Sequence, residues 1–228
     1  MRAPCPRCGD ETEGYGPHNL CRDCFLEEEE LIEVPDEIHV ERCSHCGRVR
    51  RGMDWVEVET DRELIAEVLE NEVDTEKVSA VSFEETGDGY LLTLMVEATI
   101  EGETLQQEVE TELEVEKVQC PTCAKFEGGY YEYVIQLRGG ETGKVEEALE
   151  EVMDRAAEVT DEDRENFVSD VEEVDGGYDL YVSNRETAEE LLKVVRERYD
   201  MEEKRSKELV GREDGQEVYR SVVSARLV

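Results

Sequence analysis

All eight cysteines of the chain fall into C-x-x-C pairs, a spacing that can bind a metal ion. The pairs are Cys5/Cys8, Cys21/Cys24, Cys43/Cys46 and Cys120/Cys123. The two-residue spacing turns both sulfurs of a pair toward one point, and two pairs supply the four thiolates of a tetrahedral Zn²⁺ site. Gly9 and Gly47 each follow a pair, where a tight turn favours a residue that tolerates positive φ. We therefore predict two zinc ions bound by the eight cysteines.

Other uses of paired cysteines fit the pattern less well. A thioredoxin-like redox motif is a single C-x-x-C that opens a helix, and four copies do not match it. Disulfides are not expected, because the N-terminus lacks the apolar region of a secretory signal. An iron–sulfur cluster also takes four thiolates, and spacing alone leaves that alternative open. Four thiolates leave no position for water or substrate, so a zinc ion bound here would be structural.

The spacing does not fix which pairs share a metal. In a nested order the first two pairs, which are separated by twelve residues, form one site. The last two pairs form a second site around a long insertion. In a cross-braced order the pairs alternate. Loop-closure entropy separates the two orders by only roughly 1 kcal/mol. We expect the nested order, with the second zinc ion holding the two ends of an independently folded insertion.

The elements around the cysteines predict an α+β fold. Residues 31–40 have the pattern of a strand broken by Pro35, and Thr60 and Glu63 have capping-box spacing ahead of a short amphipathic helix. Three further strands form a meander that lies between the halves of the second zinc site. These strands are predicted at residues 78–85, 90–100 and 104–118.

From residue 130 the pattern becomes β-α-β-β-α-β with an extra strand, the order of a ferredoxin-like fold. Ser183 and Glu186 have capping-box spacing at the start of the second helix, and a final hairpin is predicted to turn at Asp214-Gly215. The fold class is therefore a zinc-knuckle domain with two four-cysteine sites and a β-meander insertion, followed by a ferredoxin-like domain. The predicted divisions are a first zinc finger at 1–30, the second zinc site with its insertion at 31–125, and the ferredoxin-like domain at 126–228.

The charge of the chain excludes several classes of protein. With 62 acidic and 25 basic residues the net charge is −37, which argues against a conventional basic nucleic-acid binder and a polybasic membrane-surface protein. Regularly spaced hydrophobic residues argue against a disordered acidic chain. We interpret the acidity as the solvated surface of a protein from an extreme halophile, because the Debye length falls to about 3 Å at 1 M salt. No segment is apolar enough to cross a bilayer, so a cytoplasmic protein is expected.

Positive charge is concentrated around the third cysteine pair and in the last hairpin. Guanidinium groups suit phosphate, so these clusters are candidate RNA contacts despite the net charge. The alternative is that they pair with the abundant carboxylates. The candidate residues are Arg48, Arg50, Arg51, Lys204, Arg205, Lys207 and Arg212.

The cysteine motifs and the segments after them also match a known family. The motifs are CPRCG, LCRDC, CSHCGRVRRGMDW and CPTC, followed by YYEYVIQLR, DGGYDLYVSNRETAEELLKVV and RSKELVGREDGQEVYRSVVSARL. Over essentially its whole length the chain resembles the archaeal form of the Nmd-three family, the export adaptors of the large ribosomal subunit. The resemblance implies binding to the joining face of that subunit, with contacts to ribosomal RNA and ribosomal proteins during late maturation. It also implies the eight cysteines as zinc ligands.

One departure from the family pattern concerns the end of the chain. Eukaryotic members continue into a region similar to translation factor 5A and an export signal, whereas this sequence ends at Val228. An archaeon has no nucleus, so we expect subunit maturation or the blocking of premature joining instead of export.

The sequence therefore predicts a zinc-stabilised assembly factor of the large ribosomal subunit. The alternative is a zinc-ribbon transcription or DNA-associated factor, which would share the zinc sites. An enzyme is not expected, because the chain has no phosphate loop, G-x-S-x-G or H-E-x-x-H motif. The expected partners are ribosomal RNA and ribosomal proteins, without a membrane or a small-molecule substrate.

Overall fold

The computed structural model describes residues 3–100, 102–139, 143–213 and 216–228, without the side chains of 210 and 212–218. The chain divides into two compact units, Met1–Cys120 and Pro121–Val228. Within the described ranges, no helix is long and apolar enough to span a membrane.

The first unit is built on a six-stranded mixed sheet with strand order β5-β4-β3-β8-β7-β6 and a separate pair, β1 and β2. A short 3₁₀ turn at Thr75–Lys77 leads into β6. The elements, in chain order, are β1 (Ala3–Pro4), β2 (Glu11–Thr12), α1 (Arg22–Glu28), β3 (Glu37–Cys43), β4 (Val49–Arg51), β5 (Asp54–Val56), α2 (Asp61–Glu72), β6 (Val78–Glu85), β7 (Gly89–Ile100) and β8 (Glu103–Val118).

The meander forms as predicted from β6, β7 and β8, but the expectation that it folds independently was wrong. Strand β8 pairs in parallel with β3 along seven residues of each strand, from Glu37 opposite Glu112 to Cys43 opposite Val118. The strand expected at 31–40 instead begins at Glu37, because Pro35 has no backbone N–H for a sheet hydrogen bond. The insertion is therefore continuous with the sheet that carries the third cysteine pair.

Helix α2 covers the sheet of the first unit and begins at the predicted cap. The Thr60 hydroxyl accepts a hydrogen bond from the Glu63 backbone N–H at 3.2 Å, and the Glu63 carboxylate accepts one from the backbone N–H of Glu59 at 2.8 Å. Its apolar side chains lie in one buried cluster with those of β7, and each fully buried leucine contributes about 1.5–3 kcal/mol. The helix and strand residues of this cluster include Leu64, Ile65, Val68, Leu69, Leu92, Leu94 and Val96.

The second unit is a five-stranded sheet with strand order β10-β11-β9-β13-β12, and two long helices share its buried core. The core joins both helices to strands β9, β11 and β13. The elements are α3 (Pro121–Glu127), β9 (Tyr133–Gly139), α4 (Lys144–Glu162), β10 (Val168–Val174), β11 (Gly177–Val182), α5 (Arg185–Arg198), β12 (Met201–Glu213) and β13 (Gln216–Leu227).

This topology confirms the predicted α+β fold with a βαββαβ-like second part, and it shows where the extra strand lies. Strands β9 and β10 are joined through α4 and separated by β11, the split β-α-β arrangement of ferredoxin-like folds. The strand after α5, β12, lies at the edge of the sheet. The extra strand β13 lies between β12 and β9 and runs parallel to β9, so the sheet is mixed.

The predicted capping box at Ser183 and Glu186 was wrong by one residue. The Asn184 side chain caps α5, accepting a hydrogen bond from the Thr187 backbone N–H at 3.0 Å. The Ser183 hydroxyl is used elsewhere, because it accepts the backbone N–H of Phe167 at 3.0 Å. The turn predicted at Asp214-Gly215 lies outside the described residues.

Candidate metal centres

The first metal centre is formed by the cysteines of the first two pairs, whose sulfurs all lie within 4.8 Å of one another. Cys21 is the N-cap residue of α1 and Cys24 is buried in its first turn. The backbone N–H of Cys21 donates to the Cys5 sulfur at 3.3 Å, and the sulfurs of Cys8 and Cys21 are 3.5 Å apart. We call this set, Cys5, Cys8, Cys21 and Cys24, the first cluster.

The second cluster consists of Cys43, Cys46, Cys120 and Cys123, and its sulfurs also lie within 4.8 Å of one another. The parallel pairing of β3 with β8 brings these pairs together, because Cys43 ends β3 opposite Val118 near the end of β8. The backbone N–H of Cys120 donates to the Cys43 sulfur at 3.3 Å. The sulfurs of Cys46 and Cys120 are 3.8 Å apart.

Both clusters fit a tetrahedral zinc ion. Four sulfurs placed about 2.3 Å from one zinc ion are separated from each other by about 3.8 Å. The separations of 3.5 and 3.8 Å agree with this value. No disulfide bond joins any of the eight cysteines, all of which lie in the described ranges. Gly9 and Gly47 adopt φ of 89° and 76°, as predicted for the turns. The grouping confirms the nested order of the pairs.

Backbone hydrogen bonds favour the thiolate form of one cysteine in each cluster. The backbone N–H groups of Cys8 and Cys21 lower the pKa of Cys5 to about 6. Burial raises the pKa of Cys43, but the backbone N–H groups of Cys120 and Cys46 outweigh it and bring the pKa to about 6. Because the thiolate is the metal ligand, these bonds favour metal binding by Cys5 and Cys43, whereas the neighbouring thiols of the first cluster raise the pKa of Cys24.

The charged neighbours of the two clusters differ. The Arg48 guanidinium donates from Nε to the Cys46 sulfur at 3.5 Å and from Nη2 to the Cys120 sulfur at 3.7 Å. At the first cluster the charged group beside the sulfurs is a carboxylate, because the Cys8 thiol donates to the Asp10 carboxylate at 3.4 Å. The arginine predicted to contact RNA at position 48 is therefore directed at the metal ligands.

The two arginines that follow it form ion pairs within the first unit. Arg50 donates to the Glu41 carboxylate at 2.6 Å and to the carbonyl oxygen of Gly52 at 3.1 Å. Arg51 pairs with Glu67 of α2 at 3.1 Å. Residues 42–53 contain no acid, so the partners could not be identified before the sheet and α2 were placed beside these arginines.

The RNA-binding candidates of the last hairpin lie along the edge strand β12. Arg205 pairs with Glu189 and with Glu203, each at 2.6 Å. Lys204 and Lys207 are exposed, and neither makes an ion pair with another residue that the structure describes. Arg212 also belongs to β12, but its side chain lies outside the described part.

Two further clusters were not predicted from the sequence. His39 Nδ1 lies 2.9 Å from the Glu114 carboxylate, and Glu37 completes an exposed group on β3 and β8. In the second unit the Arg220 guanidinium lies 5.5 and 5.3 Å from the ring centroids of Tyr130 and Tyr131. The only sequence signals were the alternation of His39 with Glu37 and the Tyr130-Tyr131 doublet.

Taken together, the fold and clusters define an α+β protein with two four-cysteine metal centres in its N-terminal region. Family models identify it further: the NMD3 N-terminal domain matches residues 5–128, and the NMD3 second domain matches residues 130–227. The chain belongs to the NMD3 family, ribosomal subunit export adaptors that are generally non-catalytic. All eight cysteines fall within the N-terminal match. No curated protein matches the chain.

Proposed function

We propose that this protein is a zinc-stabilised cytoplasmic adaptor that binds the large ribosomal subunit during late maturation and contacts its RNA and proteins. The observation that carries the proposal is the pair of consecutive NMD3 matches, which together run from residue 5 to residue 227. The net charge of −37 supports an origin in an archaeal extreme halophile. Binding is therefore to be measured in concentrated KCl.

Each cluster would hold one zinc ion through its four thiolates. The bound ion would supply no catalysis, because four thiolates fill its tetrahedral coordination. In the second cluster the Cys43 thiolate would join the end of β3 to the chain that follows β8. The support for zinc is the set of sulfur separations and the backbone hydrogen bonds to Cys5 and Cys43.

We also propose that the zinc sites divide the chain functionally into residues 1–30, 31–125 and 126–228. The first cluster closes within the first of these segments. The second cluster closes around α2 and the meander, and the remaining segment carries the five-stranded sheet.

Lys204 and Lys207 are the residues best placed to contact RNA phosphates, because both are exposed on the edge strand β12. Arg50, Arg51 and Arg205 would each have to exchange a carboxylate partner for a phosphate. Surface ion pairs contribute about 0–1 kcal/mol, and concentrated salt weakens them further, so this exchange costs little for Arg50 and Arg51. It costs more for Arg205, which is held by Glu189 and Glu203 together.

Sedimentation with purified large subunits in concentrated KCl tests the proposal. We expect the zinc-loaded protein to move with the subunit, and the double variant Lys204→Glu/Lys207→Glu to bind more weakly. The matched control, Lys77→Glu/Lys193→Glu, makes the same change in charge elsewhere and should bind as the unaltered protein does. If the unaltered protein remains with the unbound fraction, the adaptor proposal is wrong.

Crosslinking tests the alternative of a zinc-ribbon transcription or DNA-associated factor. The adaptor should crosslink mainly to RNA of the large subunit. Recovery of DNA without enrichment of ribosomal RNA would favour the alternative.

A further inference from the structure

We propose that Arg48 stabilises the second zinc site by neutralising two of its thiolates, and that the two zinc ions consequently leave the protein at different rates. The inference rests on the proposed binding of zinc by both clusters. It assigns Arg48 a positioning role at the metal in place of a contact with RNA.

The position of Arg48 allows it to hold both halves of the second cluster. It follows the turn of the third cysteine pair directly, two residues after Cys46. Its Nε reaches the Cys46 sulfur and its Nη2 reaches the Cys120 sulfur, at 3.5 and 3.7 Å. Arg42 donates to the carbonyl oxygen of Gly47 at 3.2 Å and so fixes the turn from which Arg48 extends.

The charge balance explains why such a contact stabilises bound zinc. Four thiolates around one Zn²⁺ leave an excess of negative charge at the site, in a chain that already carries −37. A guanidinium bonded to two of the sulfurs offsets part of that excess, and its planar fork suits two acceptors at once. Arg48 is half-buried, so water and salt screen the contact less than they screen an exposed ion pair.

The first cluster has the opposite environment. Its charged neighbour is the Asp10 carboxylate, which lies 3.4 Å from the Cys8 sulfur and adds negative charge. The partners of Arg7 are the carbonyl oxygen of Cys24 at 3.4 Å and the Glu27 carboxylate at 3.0 Å, not a sulfur as for Arg48. We therefore expect the first cluster to lose its zinc ion sooner.

Transfer of zinc to an excess of a chromogenic chelator in concentrated KCl tests the inference. The unaltered protein should release two zinc ions in two phases, and the variant Cys21→Ser should retain only the slower one. Arg48→Leu should accelerate the slower phase by about 10–100-fold, the usual effect of removing a group that supports a metal ligand. Arg50→Leu is the matched control, because Arg50 pairs with Glu41 and not with sulfur. It should leave both phases unchanged.

The outcomes separate this inference from the proposed function. If the unaltered protein does not bind two zinc ions, the zinc proposal itself is wrong. If it binds two and Arg48→Leu leaves the slower phase unchanged, or Arg50→Leu accelerates it equally, the role assigned to Arg48 is wrong. Circular dichroism shows whether Arg48→Leu is folded. If Arg48→Leu is not folded, Arg48→Lys is the deciding variant, because lysine keeps the positive charge but lacks the two-donor fork. The Arg48→Lys protein must then release the second zinc ion faster than the unaltered protein does.

Discussion

Replacing Cys43 with serine should remove the second zinc ion and loosen the end of the sheet that carries it. Cys43 is buried at the end of β3, and its sulfur accepts the backbone N–H of Cys120 at 3.3 Å. A serine hydroxyl is not deprotonated at neutral pH, so the fourth anionic ligand is lost. We expect zinc content to fall from two ions to one.

The expected loss of stability follows from linkage between zinc binding and folding. A ligand that binds only the folded state stabilises it by about 4 kcal/mol when its free concentration is 1,000 times its Kd. The variant loses this contribution and also the hydrogen bond to the Cys43 sulfur. Since a domain is stable by only about 5–15 kcal/mol, we expect a large decrease in the unfolding midpoint.

Hydrogen exchange locates the effect, and a second variant provides the control. The backbone N–H of Cys43 donates to the carbonyl oxygen of Arg48 at 2.8 Å, and that of Ser44 donates to the carbonyl oxygen of Val118 at 2.8 Å. These amides should exchange faster in Cys43→Ser. They should be unaffected in Cys21→Ser, which removes the other zinc ion. Two zinc ions per chain in Cys43→Ser, or unchanged protection of these amides, would refute the reasoning.

Two further predictions concern the second unit. Asn184→Ala removes the cap of α5 and should cost about 0.5–2 kcal/mol in denaturant unfolding. Glu186→Ala should change stability by less than about 0.5 kcal/mol, and an equal loss in both variants would contradict the observed cap. Hydrogen bonds from Arg205 lower the pKa of Glu189 from 4.5 to about 2. Because the folded-state pKa is the lower one, the stabilisation is present above pH 4.5 and is lost as the pH falls toward 2. In the variant Glu189→Gln, the free energy of unfolding should therefore depend less on pH between pH 4.5 and about 2. An unchanged pH dependence in that range would count against this ion pair.

The features that the sequence predicted correctly depend on neighbouring residues. The cap of α2 at Thr60 follows from a three-residue spacing, and the meander follows from alternation interrupted by tight turns. The ferredoxin-like order follows from the succession of elements. The eight cysteines point to metal because each pair is complete within four residues.

The features that it did not predict depend on which strands become neighbours. Strand β8 could have ended the meander as an edge, and its pairing with β3 joins segments that are far apart in the chain. The position of β13 between β12 and β9 likewise depends on which strands pair, and the order of elements in the chain does not determine it. Loop-closure entropy varies only with the logarithm of length, so chain separation does not discriminate among such pairings.

The arginines show the same distinction at the level of single side chains, and it determines how their partners bear on RNA binding. Arg50 pairs with the Glu41 carboxylate near the surface, where a single ion pair contributes little and phosphate can replace the partner. This ion pair is thus compatible with a contact to RNA. Arg48 differs because its partners are the sulfurs of a metal site, and withdrawing it would leave the excess charge of the thiolates unbalanced. In the proposed function, a surface that binds the ribosomal subunit would recruit Arg50, whereas Arg48 would stay with the two sulfurs beside the turn between β3 and β4.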